Sequence, residues 1–334
     1  MDQLAAMRRA DTLARLGLGT VAPNPIVGAV ILDTNGEVIS EGFHERAGAD
    51  HAEIVALKRA GAKARGATLV VTLEPCNHQG KTPPCSEAII AAGISQVIFA
   101  VSDPNQIASG GGARLRSAGI AVVVGILADE VSFTNRAWLK KVITGAPYIT
   151  AKVATTLDGR IAARDGSSKW ITSESARADV ATLRSECDAI ITGTGTVLAD
   201  DPQLTVRAQV RGEFKPTRMI LGVREIPSTA RINSSEVETV HLKSRQIGDA
   251  IELAKTRGWN RLLLEAGPTL TSAFFKANLV DELFIYQAPT LLGAGDTFVT
   301  ELGITSLTDR IDLKLHSAEA IGTDLKLHLL ARSA

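Results

Sequence analysis

The sequence predicts an α/β protein of two domains, and three observations carry that prediction. The chain has 334 residues, which suits two domains of about 150 residues each. Along both halves, apolar residues switch repeatedly between helical and strand-like spacing. A Gly145-Ala146-Pro147 break interrupts the alternation near the middle, so the domains are taken as 1–145 and 146–334.

The elements follow in order. From Asp2 to about Leu18, the residues Leu4, Met7, Ala10, Leu13 and Ala14 fall on one helical stripe. VGAVIL and EVISEG read as strands around DTNG, and Asn35-Gly36 suits a tight hairpin turn. HAEIVALKRAG reads as a helix ending at Gly61, ATLVVTLEP as a strand and SEAIIAAG as a helix. QVIFAVSD is a strand, ARLRSAG a helix, IAVVVGI a strand, and one further helix is expected near 128–144. A hairpin followed by alternating helix and strand implies a mixed sheet with helices packed on it.

A second series starts after the break. YITAKVATTLDG is a strand running into a loop, and SESARADVATLRSEC is a helix capped by Ser173. DAIITG, RMILGV, ETVHLK, RLLLEAG and DELFIYQAP read as strands, with TLTSAFFKANL a helix between the last two. DLKLHS and DLKLHLL suit a closing antiparallel pair.

Composition narrows the function classes. The chain is 45% hydrophobic with 36 basic and 36 acidic residues, so its net charge is zero. That argues against a general nucleic-acid or anionic-membrane surface and leaves any anionic ligand to local basic residues. No apolar run reaches the roughly 18 residues needed to span a bilayer. Three cysteines cannot form a disulfide framework, so a cytoplasmic setting is expected.

Two of those cysteines, Cys76 and Cys85, lie in TLEPCNHQGKTPPC, downstream of the His-x-Glu at His51 and Glu53. Imidazole and two thiolates suit tetrahedral zinc, with the fourth position left for water. Zinc lowers the pKa of such water to about 7. Glu53, two positions from a ligand, is placed to take the water's proton and pass it to a ring nitrogen and a leaving amine. That chemistry is hydrolytic deamination. The competing readings are two buried thiols acting as apolar fillers, or a closed structural site with His78 as fourth ligand. The joint pattern of H-A-E, strand, P-C and a helix-opening Cys is more specific than its parts and matches zinc nucleobase deaminases, though with a longer inter-cysteine loop. That loop brings His78, Gln79 and Lys81 to the mouth of the site.

The second half is less explicit. GTGTVL has Gly193 and Gly195, but Leu198 stands where a dinucleotide fingerprint needs a small residue. EAGPTL ends a strand and opens a helix that can offer backbone N–H groups to a phosphate. Each of these glycines taken alone suits a plain turn.

Over essentially its whole length the chain resembles the bifunctional riboflavin-biosynthesis enzymes, a pyrimidine deaminase fused to a 5-amino-6-(5-phosphoribosylamino)uracil reductase. The resemblance rests on PNPIVGAVI, GFHERAGADHAE, VTLEPCNHQGKTPPC and DPN in the first half. In the second it rests on TLDGRIA, SKWITS, VLADDPQLTVR and EAGPTL. It implies a cytidine-deaminase-like domain followed by a dihydrofolate-reductase-like domain. One zinc per chain would be held by His51, Cys76 and Cys85, with Glu53 as acid/base and Asn24 and Asn105 as pyrimidine contacts. The substrate implied is 2,5-diamino-6-(5-phosphoribosylamino)pyrimidin-4(3H)-one, whose deaminated product is then reduced by NADPH from the ribosyl to the ribityl chain.

In the reductase half the resemblance implies cofactor contacts from Ala154, Trp170, Thr196 and Asp200. The turn Gly267, Pro268, Thr269, Leu270, Thr271, Ser272 and Ala273 joins them. It implies substrate contacts from Ser168, Arg184, Leu204, Arg207 and Glu265, with Arg184 and Arg207 fit to hold the phosphate. Asp200 could equally be a turn residue, and Arg184 a solvated one. Two departures stand out. DPN is followed by QIASGGGARL, and the strand RMIL runs into Gly222-Val223 where the family often has Asp-Ser. No cofactor contact is assigned at 222–223, which leaves preference for NADP over NAD open. A small-molecule substrate and a homo-oligomer are expected. The rival reading is a nucleic-acid deaminase with an accessory domain; it calls for a basic, aromatic surface, against zero net charge and 4% aromatics.

Overall fold

The computed structural model describes residues 1–79, 83–206 and 215–332. By internal contacts the chain divides into two compact units, Met1–Ala146 and Pro147–Ala334. No helix among the described residues is long and apolar enough to cross a membrane.

The first unit begins with α1 (Gln3–Ala14), capped by the Asp2 carboxylate, which accepts from the Ala5 N–H at 2.7 Å. Its buried face is Ala6, Met7, Ala10, Leu13 and Ala14. Leu4, expected on that stripe, is exposed. It sits about 120° around the helix from Ala10, outside the covered arc. Next come β1 (Gly28–Leu32) and β2 (Val38–Phe43), an antiparallel hairpin. Its connection is wider than the expected tight turn: Asp33 accepts from the N–H groups of Asn35 and Glu37, both at 2.8 Å, and Gly36 takes φ +81°.

Then follow α2 (Ala52–Ala60), β3 (Thr68–Leu73), α3 (Cys85–Ala92), β4 (Gln96–Val101), α4 (Gly111–Ser117) and β5 (Ala121–Val124). The five-stranded sheet has order β2-β1-β3-β4-β5, antiparallel up to β3 and parallel beyond it. Helices cover both faces: Val30, Leu32, Val70 and Ile98 pack on α1, while Ile31, Leu69, Val71 and Val97 pack with α2, α3 and α4. The single helix expected near 128–144 is two, α5 (Ala128–Thr134) and α6 (Arg136–Thr144). Asn135 separates them, because its side-chain amide exchanges hydrogen bonds with the backbone of Ile26, accepting from N–H at 3.3 Å and donating to C=O at 2.9 Å.

The second unit runs β6 (Tyr148–Thr156), α7 (Glu174–Ser185), β7 (Ala189–Gly193), α8 (Thr194–Asp200), β8 (Thr217–Leu221), β9 (Thr239–Leu242) and α9 (Ile247–Arg257). It continues with β10 (Arg261–Leu264), α10 (Pro268–Lys276), β11 (Glu282–Ala288), β12 (Leu313–Ile321) and β13 (Asp324–Ala331). Ser173 caps α7 as expected, accepting from the Ala176 N–H at 3.3 Å. The eight-stranded sheet has order β12-β13-β11-β6-β10-β7-β8-β9. From β11 to β9 all neighbours are parallel, and the pair β12–β13 closes the sheet antiparallel. The carboxyl ends of β6, β10, β7 and β8 therefore stand side by side, where open parallel sheets present their ligand crevice.

Candidate active sites

In the first unit three elements converge. His51 is the N-cap of α2, Cys76 lies in the loop after β3, and Cys85 opens α3. The His51 Nδ1 is 3.6 Å from the Cys76 Sγ and 3.3 Å from the Cys85 Sγ. All three ligating atoms lie within 4.8 Å of one another. Ligands on a tetrahedral zinc, with bonds of about 2.0–2.3 Å, stand roughly 3.5–3.8 Å apart, so one ion fits. The thiol chemistry agrees. The Cys85 S–H and His51 pull the Cys76 thiol down to about 4, while Cys76 and burial push the Cys85 thiol up.

Glu53 lies in the first turn of α2 and is buried. Burial pushes its carboxyl up to about 7. Asn24 is joined to a residue that the sequence reading did not single out, His44. The His44 Nδ1 donates to the Asp50 carbonyl at 3.0 Å, so its Nε2 accepts from the Asn24 Nδ2 at 3.1 Å. The His44 ring meets that of His51 edge-on, with centroids 5.5 Å apart. A second histidine inside GFHERAGADHAE was the available signal.

Glu74 ties down the floor of the site. It accepts from the Asp103 N–H at 3.1 Å and the Gly112 N–H at 2.9 Å. The divergent DPNQIASGGG loop fits this backbone closely: a Cβ at Gly111 would lie 1.8 Å from the Pro75 carbonyl oxygen. The Asn105 side chain accepts from the Ile107 N–H at 3.2 Å, shaping the same loop. Of the loop residues expected at the mouth of the site, Lys81 lies outside the described residues.

In the second unit the anticipated residues gather at the strand ends. Glu265 follows β10 and is buried. Arg184 of α7 grips it with Nε at 2.5 Å and Nη2 at 3.0 Å, and donates through Nη1 to the Thr205 carbonyl. Arg184 is therefore not a solvated helix residue. Lys152 of β6 adds a second cation 2.9 Å from Glu265. The sequence reading passed over Lys152, although a lysine within the apolar strand YITAKVATT was a visible anomaly. Burial pushes the Glu265 carboxyl up, but Arg184 and Lys152 outweigh it and hold the group at about 2.

Ala154 lies on β6 beside Tyr286 of β11. The Ser168 hydroxyl donates to Asp200 at 3.1 Å, and Lys169 donates to the Asp200 carbonyl. Trp170 is exposed, with the Arg177 guanidinium 4.7 Å above its ring, so it is not a core residue. The Leu204 side chain is buried in the core beneath α7. Arg207 lies outside the described residues.

GTGTVL, rejected as a dinucleotide fingerprint, forms the end of β7 and the start of α8. The Thr196 hydroxyl accepts from the Gly267 N–H at 2.9 Å, which locks the start of α8 to the N-cap of α10. Pro268 has no N–H, and those of Thr269 and Leu270 have no intrahelical acceptor, so this end of α10 offers donors to an anion. The side chains of Thr271 and Ser272 are buried, and Ser272 accepts from the Thr300 N–H. The Thr271 N–H donates to the Gly267 carbonyl at 3.1 Å. The donors suit a phosphorylated nucleotide.

Residues 1–101 match the family model for the cytidine and deoxycytidylate deaminase zinc-binding region, and residues 147–327 match the RibD C-terminal domain. The riboflavin biosynthesis protein RibD of Mycobacterium tuberculosis is 47% identical over 318 residues, covering 94% of this chain and 93% of that one. The Escherichia coli protein of the same name is 41% identical, covering 97% and 98%. Among solved structures, Acinetobacter baumannii RibD superposes with a TM-score of 0.91 at 39% identity and 99% coverage of both chains. A Thermotoga maritima diaminohydroxyphosphoribosylaminopyrimidine deaminase/5-amino-6-(5-phosphoribosylamino)uracil reductase also reaches 0.91, at 33% identity and the same coverage.

Proposed function

We propose a residue-level reading from one premise: the chain belongs to the RibD family of riboflavin-biosynthesis enzymes, and is a bifunctional deaminase and reductase. The deaminase activity is assigned to residues 1–145 and the reductase activity to residues 146–334. The substrate is a small phosphorylated pyrimidine, 2,5-diamino-6-(5-phosphoribosylamino)pyrimidin-4(3H)-one. The single observation that carries the first step is the His51, Cys76 and Cys85 triad with a buried carboxyl, Glu53, in the helical turn that follows His51.

His51, Cys76 and Cys85 would hold a zinc ion, which would supply a Lewis acid that makes water nucleophilic near neutral pH. Glu53 would pass the proton of the attacking water to the ring nitrogen, and then the proton of the hydroxyl so added to the departing amine, which leaves as ammonia while the oxo group forms. Its burial favours this, since desolvation raises the carboxyl and makes it a better proton acceptor. Asn24, held by His44, and Asn105 seat the pyrimidine ring.

In the second half, NADPH supplies a hydride when bound. Thr196 and the Gly267–Ala273 turn would hold it, with Ala154, Trp170 and Asp200 as further contacts. Glu265, Arg184, Ser168 and Leu204 face the substrate, with Lys152 holding Glu265 ionised. Arg184 has N–H groups beyond those that bind Glu265 and Thr205, so it and Arg207 are the groups for the phosphate.

The test is to incubate the full chain with the diaminopyrimidinone, with and without NADPH, and follow product mass. Exchange of an amine for an oxo group should occur in both, and gain of two hydrogens only with NADPH. Reduction without prior ammonia release would reverse the proposed order.

A further inference from the structure

We infer that Asp158 is a positioning residue for hydride transfer: its carboxylate clasps the loop after β11 to the end of β6, and so fixes the segment that presents Ser168 and Trp170. This rests on the reductase reading above. The strands β6 and β11 are parallel and end together, with Thr156 opposite Ala288. Both release their loops at the crevice end of the sheet, where Ala154 of β6 and Glu265 beyond β10 stand. The first loop runs from Leu157 through Asp158 and Arg160 to Ser168 and Trp170, and the second covers residues 289–297.

The two loops leave the sheet joined. The Leu157 N–H donates to the Thr290 carbonyl at 2.9 Å, and the Ile161 N–H donates to the Asp296 carbonyl at 2.8 Å. Asp158 lies between these backbone ties. Its carboxylate accepts from the Gly293 N–H at 2.7 Å, the Leu292 N–H at 3.2 Å and the Thr156 hydroxyl at 2.6 Å. The Thr156 hydroxyl in turn accepts from the Arg160 N–H at 2.9 Å. Arg160 donates through Nη1 to the Gly295 carbonyl at 3.0 Å, adding a second tie in the opposite direction. Gly295 takes φ +128°, and a Cβ on it would lie 2.0 Å from the Ala162 carbonyl oxygen, so the loops meet more closely than a side chain permits. The Thr156 hydroxyl, followed by the two N–H groups, holds the Asp158 carboxyl down to about 2. The clasp is therefore charge-assisted near neutral pH.

What the clasp controls is distance. Trp170 is exposed, so its place is set by its loop and by Arg177 rather than by core packing. Ser168 lies on the same loop, tied to Asp200. One stretch of chain thus carries a cofactor contact and a substrate contact together. Reacting atoms must approach to about 3–3.5 Å, and a misplacement of about 1 Å can cost on the order of 100-fold. Asp158 sits at the rim of the unit, outside its apolar core, so loosening it shifts the loop and leaves the core packed.

The experiment uses the full chain with NADPH and the deaminated aminouracil both saturating, and follows single-turnover loss of nicotinamide absorbance. Asp158→Asn keeps the size of the side chain but replaces one acceptor oxygen by a donor that opposes an N–H. The hydride step should slow about 10- to 100-fold, while ammonia release from the diaminopyrimidinone stays within about twofold. Arg160→Met removes the tie to Gly295 and should slow the same step. The double variant should be slowed by less than the product of the two single effects, because both act on one pair of loops. Thermal melting is followed in parallel. A hydride step at the wild-type rate in folded Asp158→Asn, or in Arg160→Met where the first variant does not fold, makes the clasp purely structural and overturns the inference. An equal loss of ammonia release also overturns it, since the damage would then be global. Wild type that neither binds NADPH nor oxidises it overturns the reductase reading itself.

Discussion

Replacing Glu265 with Gln keeps the size of the side chain and removes its charge. Its carboxylate bridges Arg184 and Lys152, and all three side chains are at most 17% exposed, so solvent screens them little. The folded carboxyl lies at about 2 against an ordinary 4.5. That gap of roughly 2.5 units, at 1.36 kcal/mol each, corresponds to about 3 kcal/mol of stability. The Gln variant also leaves two buried cations without an anion, which acts in the same direction. Urea unfolding at pH 7, followed by tryptophan fluorescence, should therefore show a loss on the order of 3 kcal/mol. The pH dependence has a definite sign. The folded pKa is depressed, so the stabilisation is fully present above 4.5, where both states are ionised. As pH falls from 4.5 towards 2 the unfolded chain takes up the proton first, and the difference between wild type and Gln variant should shrink to nothing. Ammonia release, which uses the other unit, should stay within about twofold of wild type. A variant as stable as wild type at pH 7, or a difference that does not shrink in acid, would show that the ion triad only offsets its own desolvation.

Glu53→Gln should lower ammonia release by about 10²–10⁴-fold while the protein still oxidises NADPH when given the deaminated aminouracil; loss of both activities in folded, zinc-loaded protein would refute separate sites. Cys85→Ser should lose zinc by elemental analysis, since a hydroxyl is a poor substitute for thiolate, and retained zinc would remove Cys85 from the ligand set. Gly111→Ala should cost about 1–3 kcal/mol and weaken zinc retention, because a Cβ 1.8 Å from the Pro75 carbonyl forces apart the loop that carries Cys76; unchanged stability and zinc content would mean that the loop yields freely.

The zinc site was legible in the sequence because its chemistry sits in rare residue types, two of the three at helix starts. His51, Cys76 and Cys85 are few in kind, and the strand and helix between them follow from local spacing. The loop after Asn105 was readable only as a departure, since its need for glycine comes from Pro75, thirty-six residues earlier than Gly111. The break at Asn135 was hidden for the same reason: the local pattern is helical, and what interrupts it is the distant backbone of Ile26. The second unit extends this argument to a whole site. GTGTVL fails as a phosphate fingerprint because no single turn does the work. Its Thr196 acquires a role only when the Gly267 N–H, seventy-one residues on in the chain, is brought to it by the parallel pairing of β7 and β10. Metal chemistry needs particular elements of the periodic table and so marks the residues that bind it. Holding a nucleotide needs only hydroxyls, glycines and N–H groups, which every loop contains, and sheet order alone decides which of them meet.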